Sequence, residues 1–282
     1  MLRLINLFLI YFVSLASISQ AQDSLAAMGE LEKKARASVP ITTLSEINAA
    51  LRPHDIIYMP EGEGPFPAVL FFHGCSGRTL AHEQDWAKRY NSEGVAVITV
   101  DSYSGRDIRW EEACNMEKML PWQRASDIIS TVEYAKTLDK INGDELYVAG
   151  FSHGALTIWA SLVYASTETP PVGLLNWPKD ALDGVKGAFM FYGSCLAPWT
   201  VDIDATMFLG DADIYIDEKV CQLYQPNHPK DAGSLTLEIY KDATHTFDHA
   251  KPNASNVEAG SVYDATATQA SWERIKQVMK IK

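Results

Sequence analysis

Short runs of apolar residues alternate along the chain with stretches whose apolar side chains recur every three or four positions. The runs cover residues 67–72, 95–100, 145–151, 187–193, 206–210 and 235–240. The first four lack the polar alternation of a strand with one solvated face, which favours strands covered on both faces. Helical periodicity covers residues 81–90, 121–138, 155–164 and 265–279. This alternation predicts an α/β fold with a doubly wound, mostly parallel sheet and helices on both faces.

Two further stretches refine the expected sheet. In the last run, the apolar residues Leu235, Leu237 and Ile239 alternate with more polar ones. This alternation predicts a strand near the sheet edge. The segment EGEGP, residues 61–65, contains no lysine and precedes a strand, so it predicts a hairpin turn rather than a phosphate-binding loop. Because doubly wound sheets bind ligands at the carboxyl ends of their strands, functional residues are expected there.

The N-terminus has the pattern of a secretory signal peptide. Arg3 is followed by the uncharged run LINLFLIYFVSLASI, and the small residues Ser19 and Ala21 have the spacing of a cleavage site. We expect residues 1–21 to be removed; an uncleaved anchor is the alternative. No later stretch is apolar over about 20 residues, so the mature protein is expected to be periplasmic or secreted, without stable membrane insertion.

The remaining chain is interpreted as one domain with a short leading segment. Residues 22–50 are charged and lack apolar periodicity, which predicts a peripheral segment, and residues 51–282 contain the α/β pattern without a linker or repeat. The formal net charge is −12, and loss of Arg3 with the leader makes it −13. An acidic chain repels phosphate backbones, which argues against nucleic-acid binding.

The stretch GFSHG places Ser152 directly after one of the predicted central strands and directly before a predicted helix. A nucleophile at such a position needs a sharp strand-to-helix turn, and bulky side chains at Gly150 or Gly154 would collide across it. The turn would expose the serine Oγ at a helix N-terminus, whose N–H groups are free. Ser152 is therefore the candidate nucleophile.

An acylating serine needs a histidine base and an orienting carboxylate, and in this architecture their chain order is serine, acid, histidine. His245 and His249 both follow the last predicted strand, and His245 lies where the loop would return over Ser152. Asp211 and Asp213 both follow the strand that ends at Gly210. We favour His245 as the base and Asp213 as the acid.

Five stretches, FFHGCSG, VDSYSGR, GFSHG, LGDADIYIDEKVC and YKDATHTF, occur in this order. Together they resemble the dienelactone hydrolase family of α/β-hydrolases, in particular its exported, cysteine-containing members, over about residues 55–280. The resemblance implies an α/β-hydrolase fold with Ser152, Asp213 and His245 as nucleophile, acid and base. The enzymes that name the family use a cysteine nucleophile. The serine here argues against dienelactone as the substrate and keeps esterase chemistry as the expectation.

Given this resemblance, the loop at FFHGCSG is expected to supply one of the two donors of an oxyanion hole. The backbone N–H groups of Cys75 and His153 are the candidate donors to the developing oxyanion. Aromatic side chains in the loops at the carboxyl ends of the strands would suit an apolar acyl or alcohol group, and Arg106 would bind a substrate carboxylate or form a salt bridge. The candidate pocket residues are Tyr103, Arg106, Tyr192, Tyr215 and Phe247.

The four cysteines are expected to pair, because exported proteins fold in an oxidising compartment. Cys75 and Cys114 follow neighbouring predicted strands, and so do Cys195 and Cys221. The pairs Cys75–Cys114 and Cys195–Cys221 therefore need the least rearrangement of the chain. Free thiols are the alternative.

No metal site or cofactor is predicted. The stretch HTFDH places two histidines four residues apart, but Thr246 stands where the zinc-protease motif requires glutamate. The expected function is hydrolysis of a small-molecule carboxylic ester, with no prediction of the oligomeric state. A peptidase or amidase with the same triad is one alternative, and a catalytically silent binding protein of the same fold is another.

Overall fold

The computed structural model describes residues 29–258 and 260–281. The strands are Ile56–Tyr58 (β1), Phe66–Phe72 (β2), Ala96–Val100 (β3), Ile141–Phe151 (β4), Val185–Phe191 (β5), Asp204–Gly210 (β6) and Leu235–Tyr240 (β7). The helices are residues 29–38 (α1), Leu44–Leu51 (α2), Leu80–Ser92 (α3), Trp110–Cys114 (α4), Pro121–Ala135 (α5), His153–Thr167 (α6), Glu218–Tyr224 (α7), Ala254–Glu258 (α8) and Ala265–Met279 (α9). The expected α/β alternation is confirmed.

The seven strands form one sheet in the order β1-β3-β2-β4-β5-β6-β7. All neighbouring pairs are parallel except β1 and β3. β4, which ends just before Ser152, lies at the centre of the sheet, and β7 lies at an edge, as the sequence predicts. The carboxyl ends of β2 and β4 therefore meet at one side of the sheet.

The first strand corrects the sequence prediction. β1 has only three residues, all half-buried, so it carries no apolar run that the sequence would reveal. Ile57 pairs with Ile98 of β3, and no residue of β1 pairs with β2. The predicted hairpin at EGEGP is therefore wrong, because residues 61–65 connect two strands that have β3 between them.

Alternate side chains of the strands enter two separate cores, one on each face of the sheet. On β2, Leu70 and Phe72 belong to the core covered by α5 and α6, whereas Val69 and Phe71 belong to the core covered by α3 and α9. This two-sided burial explains why the central strands read as continuous apolar runs.

The segment predicted to be peripheral, residues 22–50, is described from residue 29 and contains α1 and most of α2. Thr43 and Glu46 form a capping box at the start of α2, and Ile47 and Leu51 of α2 are buried in the core beside α5. The predicted signal peptide, residues 1–21, lies outside the described residues. Among the helices that are described, none is both long enough and apolar enough to cross a membrane.

Candidate active site

Ser152 lies in the sharp turn between β4 and α6. Its backbone has φ +53° and ψ −114°, a strained conformation for a residue other than glycine. A Cβ atom on Gly150 would collide with the carbonyl group of Gly154, and one on Gly154 would collide with the carbonyl group of Phe72. The steric requirement for both glycines is thus present, and the turn presents the serine at the N-terminus of α6.

His245 connects Ser152 to Asp213. The Nε2 atom of His245 lies 3.0 Å from the serine Oγ, and its Nδ1 lies 2.7 Å from Oδ2 of Asp213. When Nδ1–H donates to the carboxylate, Nε2 is left to accept the serine proton. The structure therefore brings together the three side chains that the sequence singles out, in the geometry of a nucleophile, a base and an orienting acid.

The candidate acid, Asp213, is held firmly in the loop after β6. The Asp213 side chain is 1% exposed, and its Oδ1 accepts the backbone N–H groups of Tyr215 and Ile216 at 2.8 and 3.1 Å. Asp211, the alternative acid, is exposed and accepts the N–H of Asp242. Only the first of these carboxylates contacts His245.

Both candidate oxyanion donors are at the cavity that contains Ser152. His153 is the first residue of α6, so its N–H has no acceptor within the helix. Cys75 follows β2, and a Cβ atom on its neighbour Gly74 would lie 3.6 Å from Cβ of Ser152. The loop after β2 therefore passes close to the turn at Ser152, as an oxyanion hole requires.

A buried cation, Arg124 of α5, lies behind these two donors. Its side chain is fully buried, with Nη1 2.8 Å from the carbonyl oxygen of His73 and 3.2 Å from Nδ1 of His153, and Nε 2.8 Å from Oγ of Ser102. It thus joins the loop after β2 to the start of α6. The sequence gives no sign of this role, because Arg124 is simply one polar position in a helical pattern.

Burial and the charge of Arg124 keep the neighbouring imidazoles neutral. Together they lower the pKa of His73 to about 3, and they hold the pKa of His153 well below its usual range. Neither ring is therefore a cation at neutral pH. His73 has a structural role: its Nδ1–H donates to the carbonyl oxygen of Gly74 at 2.7 Å, and its Nε2 accepts the N–H of Ser102 at 3.3 Å.

A cavity of about 390 Å³ contains Ser152 and His245 in its wall. Its apolar lining residues include Trp110, Ala113, Met116, Leu156 and Ile216. Its polar lining residues include Thr79, His82, Thr246, His249 and Ser261. Within the described ranges, no lysine or arginine lines it.

Two of the five predicted pocket residues line this cavity. Tyr192 and Tyr215 do so, and their rings lie 4.7 and 5.2 Å from the ring of His245. Tyr103, Arg106 and Phe247 lie elsewhere, which corrects their assignment to the pocket. The sequence places all five correctly in loops at the strand ends, but the direction of a loop side chain depends on packing.

Each of the three side chains that do not line the cavity packs or bonds with other groups. Arg106 forms two hydrogen bonds, of 2.6 and 3.0 Å, with the buried carboxylate of Asp127. Tyr103 is buried against the ring of His73, at 4.6 Å. Phe247 is completely buried in the core covered by α3 and α9. The chain turns at the preceding residue, Thr246, where φ is +53°.

The sequence also fails to reveal a buried polar cluster at the cavity, formed by His82, Trp86, Tyr192, Asp248 and His249. Nε2 of His82 lies 2.8 Å from Oδ2 of Asp248, although 166 positions separate the two residues. The rings of His82 and His249 are stacked at 3.6 Å. His249, the alternative base, thus contacts His82 instead of Ser152. A pairing over such a distance has no local sequence signature.

The two disulfide bonds have the expected connectivity. Cys75 is bonded to Cys114, and Cys195 is bonded to Cys221. The first bond ties the loop after β2 to α4 and lies at the cavity. The second ties the loop after β5 to α7, which follows the Asp213 loop.

Comparisons with known proteins agree with this architecture. A model described as the dienelactone hydrolase family matches residues 54–172 and 173–281. A protein of Synechocystis sp., assigned by its name to the carboxymethylenebutenolidases, is 24% identical over 255 residues, which are 85% of this chain and 96% of that protein.

Solved structures show the same fold at low sequence identity. A Klebsiella pneumoniae protein assigned to the dienelactone hydrolases has a TM-score of 0.60 at 15% identity, covering 81% of this chain and 99% of that one. Thermogutta terrifontis esterase 2, phosphoramylated by tabun, has a TM-score of 0.60 at 13% identity, covering 80% of this chain and 88% of that one. The fold is therefore that of the α/β-hydrolases.

Proposed function

Because the chain belongs to the dienelactone hydrolase family, we propose that it is a serine hydrolase that cleaves carboxylic esters through an acyl-enzyme on Ser152. The observation that carries the proposal is the continuous hydrogen-bonded series from Oγ of Ser152 through His245 to Asp213. The strained turn at Ser152 and the cavity around it support the same reading. The mostly apolar wall suits a small neutral ester.

The reaction begins when His245 Nε2 takes the proton of Ser152 and Oγ attacks the ester carbonyl carbon. The carbonyl oxygen becomes negative and accepts the N–H groups of Cys75 and His153. Asp213 stabilises the imidazolium that forms on His245. His245 then gives its proton to the departing alcohol, which leaves the acyl group on Ser152.

Water completes the cycle by the same route. His245 removes a proton from a water molecule that attacks the acyl carbon, and the second tetrahedral intermediate uses the same two N–H donors. Collapse of this intermediate returns the proton from His245 to Oγ and releases the acid. Atoms balance as one ester and one water giving one acid and one alcohol.

The proposal includes export. Two disulfide bonds are stable in an oxidising compartment, which is compatible with removal of residues 1–21 and folding of residues 51–282 as one domain outside the cytoplasm. Sequencing the N-terminus of the protein recovered from the extracytoplasmic fraction tests this part. A first residue at Gln22 is expected; a protein retained with Met1 at its start would contradict it.

The catalytic proposal is tested with a fluorophosphonate probe. Since the esterase of Thermogutta terrifontis is phosphoramylated by tabun, an activated serine here should react in the same way. Peptide mass spectrometry is expected to locate the adduct on Ser152. Ser152→Ala should abolish labelling, whereas Ser76→Ala, a matched change of another cavity-lining serine, should retain it.

The outcomes separate the competing functions. No adduct on the folded protein would contradict the proposal and favour a binding protein of this fold. An adduct on Ser152 together with turnover of anilides, but not of the corresponding esters, would favour an amidase.

A further inference from the structure

Two stacked histidines form part of the cavity wall beside the catalytic serine. His82 and His249 both line the cavity, and their rings are 3.6 Å apart with an angle of 21° between their planes. Both are buried, at 5% and 7% exposure. The proposed ester hydrolysis uses neither of them, so this pair has no role in the chemistry described above.

The pair is anchored by the fully buried carboxylate of Asp248. Its Oδ2 lies 2.8 Å from Nε2 of His82 and accepts Nε1–H of Trp86 at 2.8 Å, while Oδ1 accepts the hydroxyl of Tyr192 at 2.9 Å. Burial opposes ionisation of Asp248, but the neighbouring His82 and these donors outweigh it and keep the pKa of Asp248 below its usual range. Such a network fixes the ring of His82 in one orientation.

The anchoring leaves ring nitrogens without protein partners. Nε2 of His82 is committed to Asp248, and among the described residues no hydrogen bond reaches its Nδ1. His249 has no hydrogen bond at either nitrogen there, and its Nδ1 is enclosed. Nε2 is therefore the nitrogen of His249 left to meet a ligand. Buried polar atoms that lack partners are rare, because each costs about 1–3 kcal/mol.

The charges at the cavity argue against an anionic ligand. No lysine or arginine of the described ranges lines the cavity, and Arg106 is bound to Asp127. Burial is the main cause that lowers the pKa of His249 to about 3, so its ring is neutral at neutral pH. An anion here would be buried next to the carboxylate of Asp248, with no lysine or arginine in the cavity lining to pair with it.

A metal ion is also a poor fit, although His82, Asp248 and His249 place ligand atoms within 4.8 Å of one another. The lone pairs of imidazole nitrogens lie in the ring planes. With the ring centroids 3.6 Å apart and 21° between the ring planes, the in-plane lone pairs of the two rings run nearly parallel instead of converging on one ion about 2 Å away. The carboxylate of Asp248 already contacts His82, Trp86 and Tyr192.

From this geometry we propose that His82 and His249 form a hydroxyl-binding subsite of the cavity, so that the enzyme prefers neutral esters that carry a hydroxyl group beside the ester. A hydroxyl suits the pair because it both donates and accepts. The inference rests on the proposed esterase function and narrows its substrate class.

The test compares esters that differ by one hydroxyl. p-Nitrophenyl butyrate is paired with p-nitrophenyl 3-hydroxybutyrate for a hydroxyl on the acid, and propyl butyrate is paired with 2-hydroxypropyl butyrate for a hydroxyl on the alcohol. We expect one hydroxylated partner to have a kcat/KM about tenfold higher, which corresponds to one or two hydrogen bonds. In His249→Phe, which keeps an aromatic ring on His82, that ratio should fall to about one.

The matched control is His54→Phe, the same substitution at an exposed histidine outside the cavity, which should keep the wild-type ratio. Equal kcat/KM values within both pairs would overturn the subsite and leave the esterase function standing. A preference that survives in His249→Phe would also overturn it. So would a preference for the anionic p-nitrophenyl hydrogen succinate, or calorimetric binding of Zn²⁺ that His249→Phe abolishes.

Failure of the esterase function is distinguished by a binding measurement. If no ester is turned over, calorimetry on Ser152→Ala compares the affinities for the same ester pairs. Tighter binding of a hydroxylated ester, lost on adding His249→Phe, would support the subsite without catalysis. Equal affinities would overturn it.

Discussion

Arg124 donates to the carbonyl oxygen of His73 over 2.8 Å and thereby holds the loop that supplies one proposed oxyanion donor. The same guanidinium contacts His153, which supplies the other. No carboxylate among the described residues forms an ion pair with Arg124, so its charge is buried at a cost of several kcal/mol. Its contacts to the two halves of the proposed oxyanion hole offset part of this cost.

We expect Arg124→Met to reduce kcat for ester hydrolysis by about 100-fold, the usual effect of losing one oxyanion donor, with a smaller change in KM. The His73 ring would lose a nearby cation, so its pKa should rise above about 3. Steady-state kinetics and NMR titration of the histidines measure the two effects. Arg124→Lys should restore part of kcat.

Arg109→Met, at a side chain that is 71% exposed, is the matched control and should behave as wild type. A Met variant that is folded by circular dichroism and retains wild-type kcat would contradict this role for Arg124.

The two aspartates after β6 should differ sharply. Asp213 is hydrogen-bonded to His245, whereas Asp211 is exposed and its carboxylate accepts the N–H of Asp242. Asp213→Asn should lower kcat by about 10⁴-fold, because the amide no longer holds the reactive imidazole tautomer. Asp211→Asn should remain within about twofold of wild type, since exposed substitutions have small effects. Comparable losses in the two variants would show that the acid is assigned incorrectly.

The two disulfide bonds should separate stability from activity. They close loops of similar length, with sequence separations of 39 and 26, so Cys114→Ser and Cys221→Ser should each lower the free energy of unfolding by about 2–4 kcal/mol. Only Cys114→Ser frees the loop that carries Cys75. This variant should therefore have a larger decrease in kcat than Cys221→Ser. Urea denaturation and ester kinetics, at a temperature where both variants are folded, measure the difference.

The starting material is checked by mass spectrometry, where the non-reduced protein should be about 4 Da lighter than the reduced one. Equal kcat losses in the two variants would contradict a specific role for Cys75–Cys114.

Most of the fold could be predicted because each central strand is covered on both faces and is therefore a continuous apolar run. β4 could be located from such a run, and β7, near the sheet edge, from the alternation of Leu235, Leu237 and Ile239 with more polar residues. β1 could not be, since three half-buried residues give no period. The antiparallel pairing of Ile57 with Ile98 is a long-range choice that the local sequence does not encode.

Some features of the candidate site could likewise be predicted from the sequence, and others could not. Ser152, Asp213 and His245 each sit in a short stretch tied to a strand end, so topology brings them together. Tyr103 and Phe247 sit at strand ends too, but their rings turn into cores. The contact between His82 and Asp248 joins residues that are far apart in the chain, and only packing reveals it.

The buried neutral histidines predict a loss of stability in acid. Burial lowers the pKa values of His73 and His249 to about 3 in the folded protein, whereas an unfolded histidine has a pKa of about 6.5. The stabilisation is fully present above about pH 6.5 and is lost as the pH falls toward 3, because the unfolded chain binds the protons. Each such histidine contributes up to about 1.4 kcal/mol per pH unit.

The contribution of His249 can be measured by urea denaturation at pH 6, 5 and 4. The unfolding free energy of His249→Phe should fall less steeply with falling pH than that of wild type, and the difference in slope should correspond to about one bound proton. His54→Phe, at an exposed position, should keep the wild-type slope, and parallel slopes for all three proteins would mean that His249 is not held neutral by the fold.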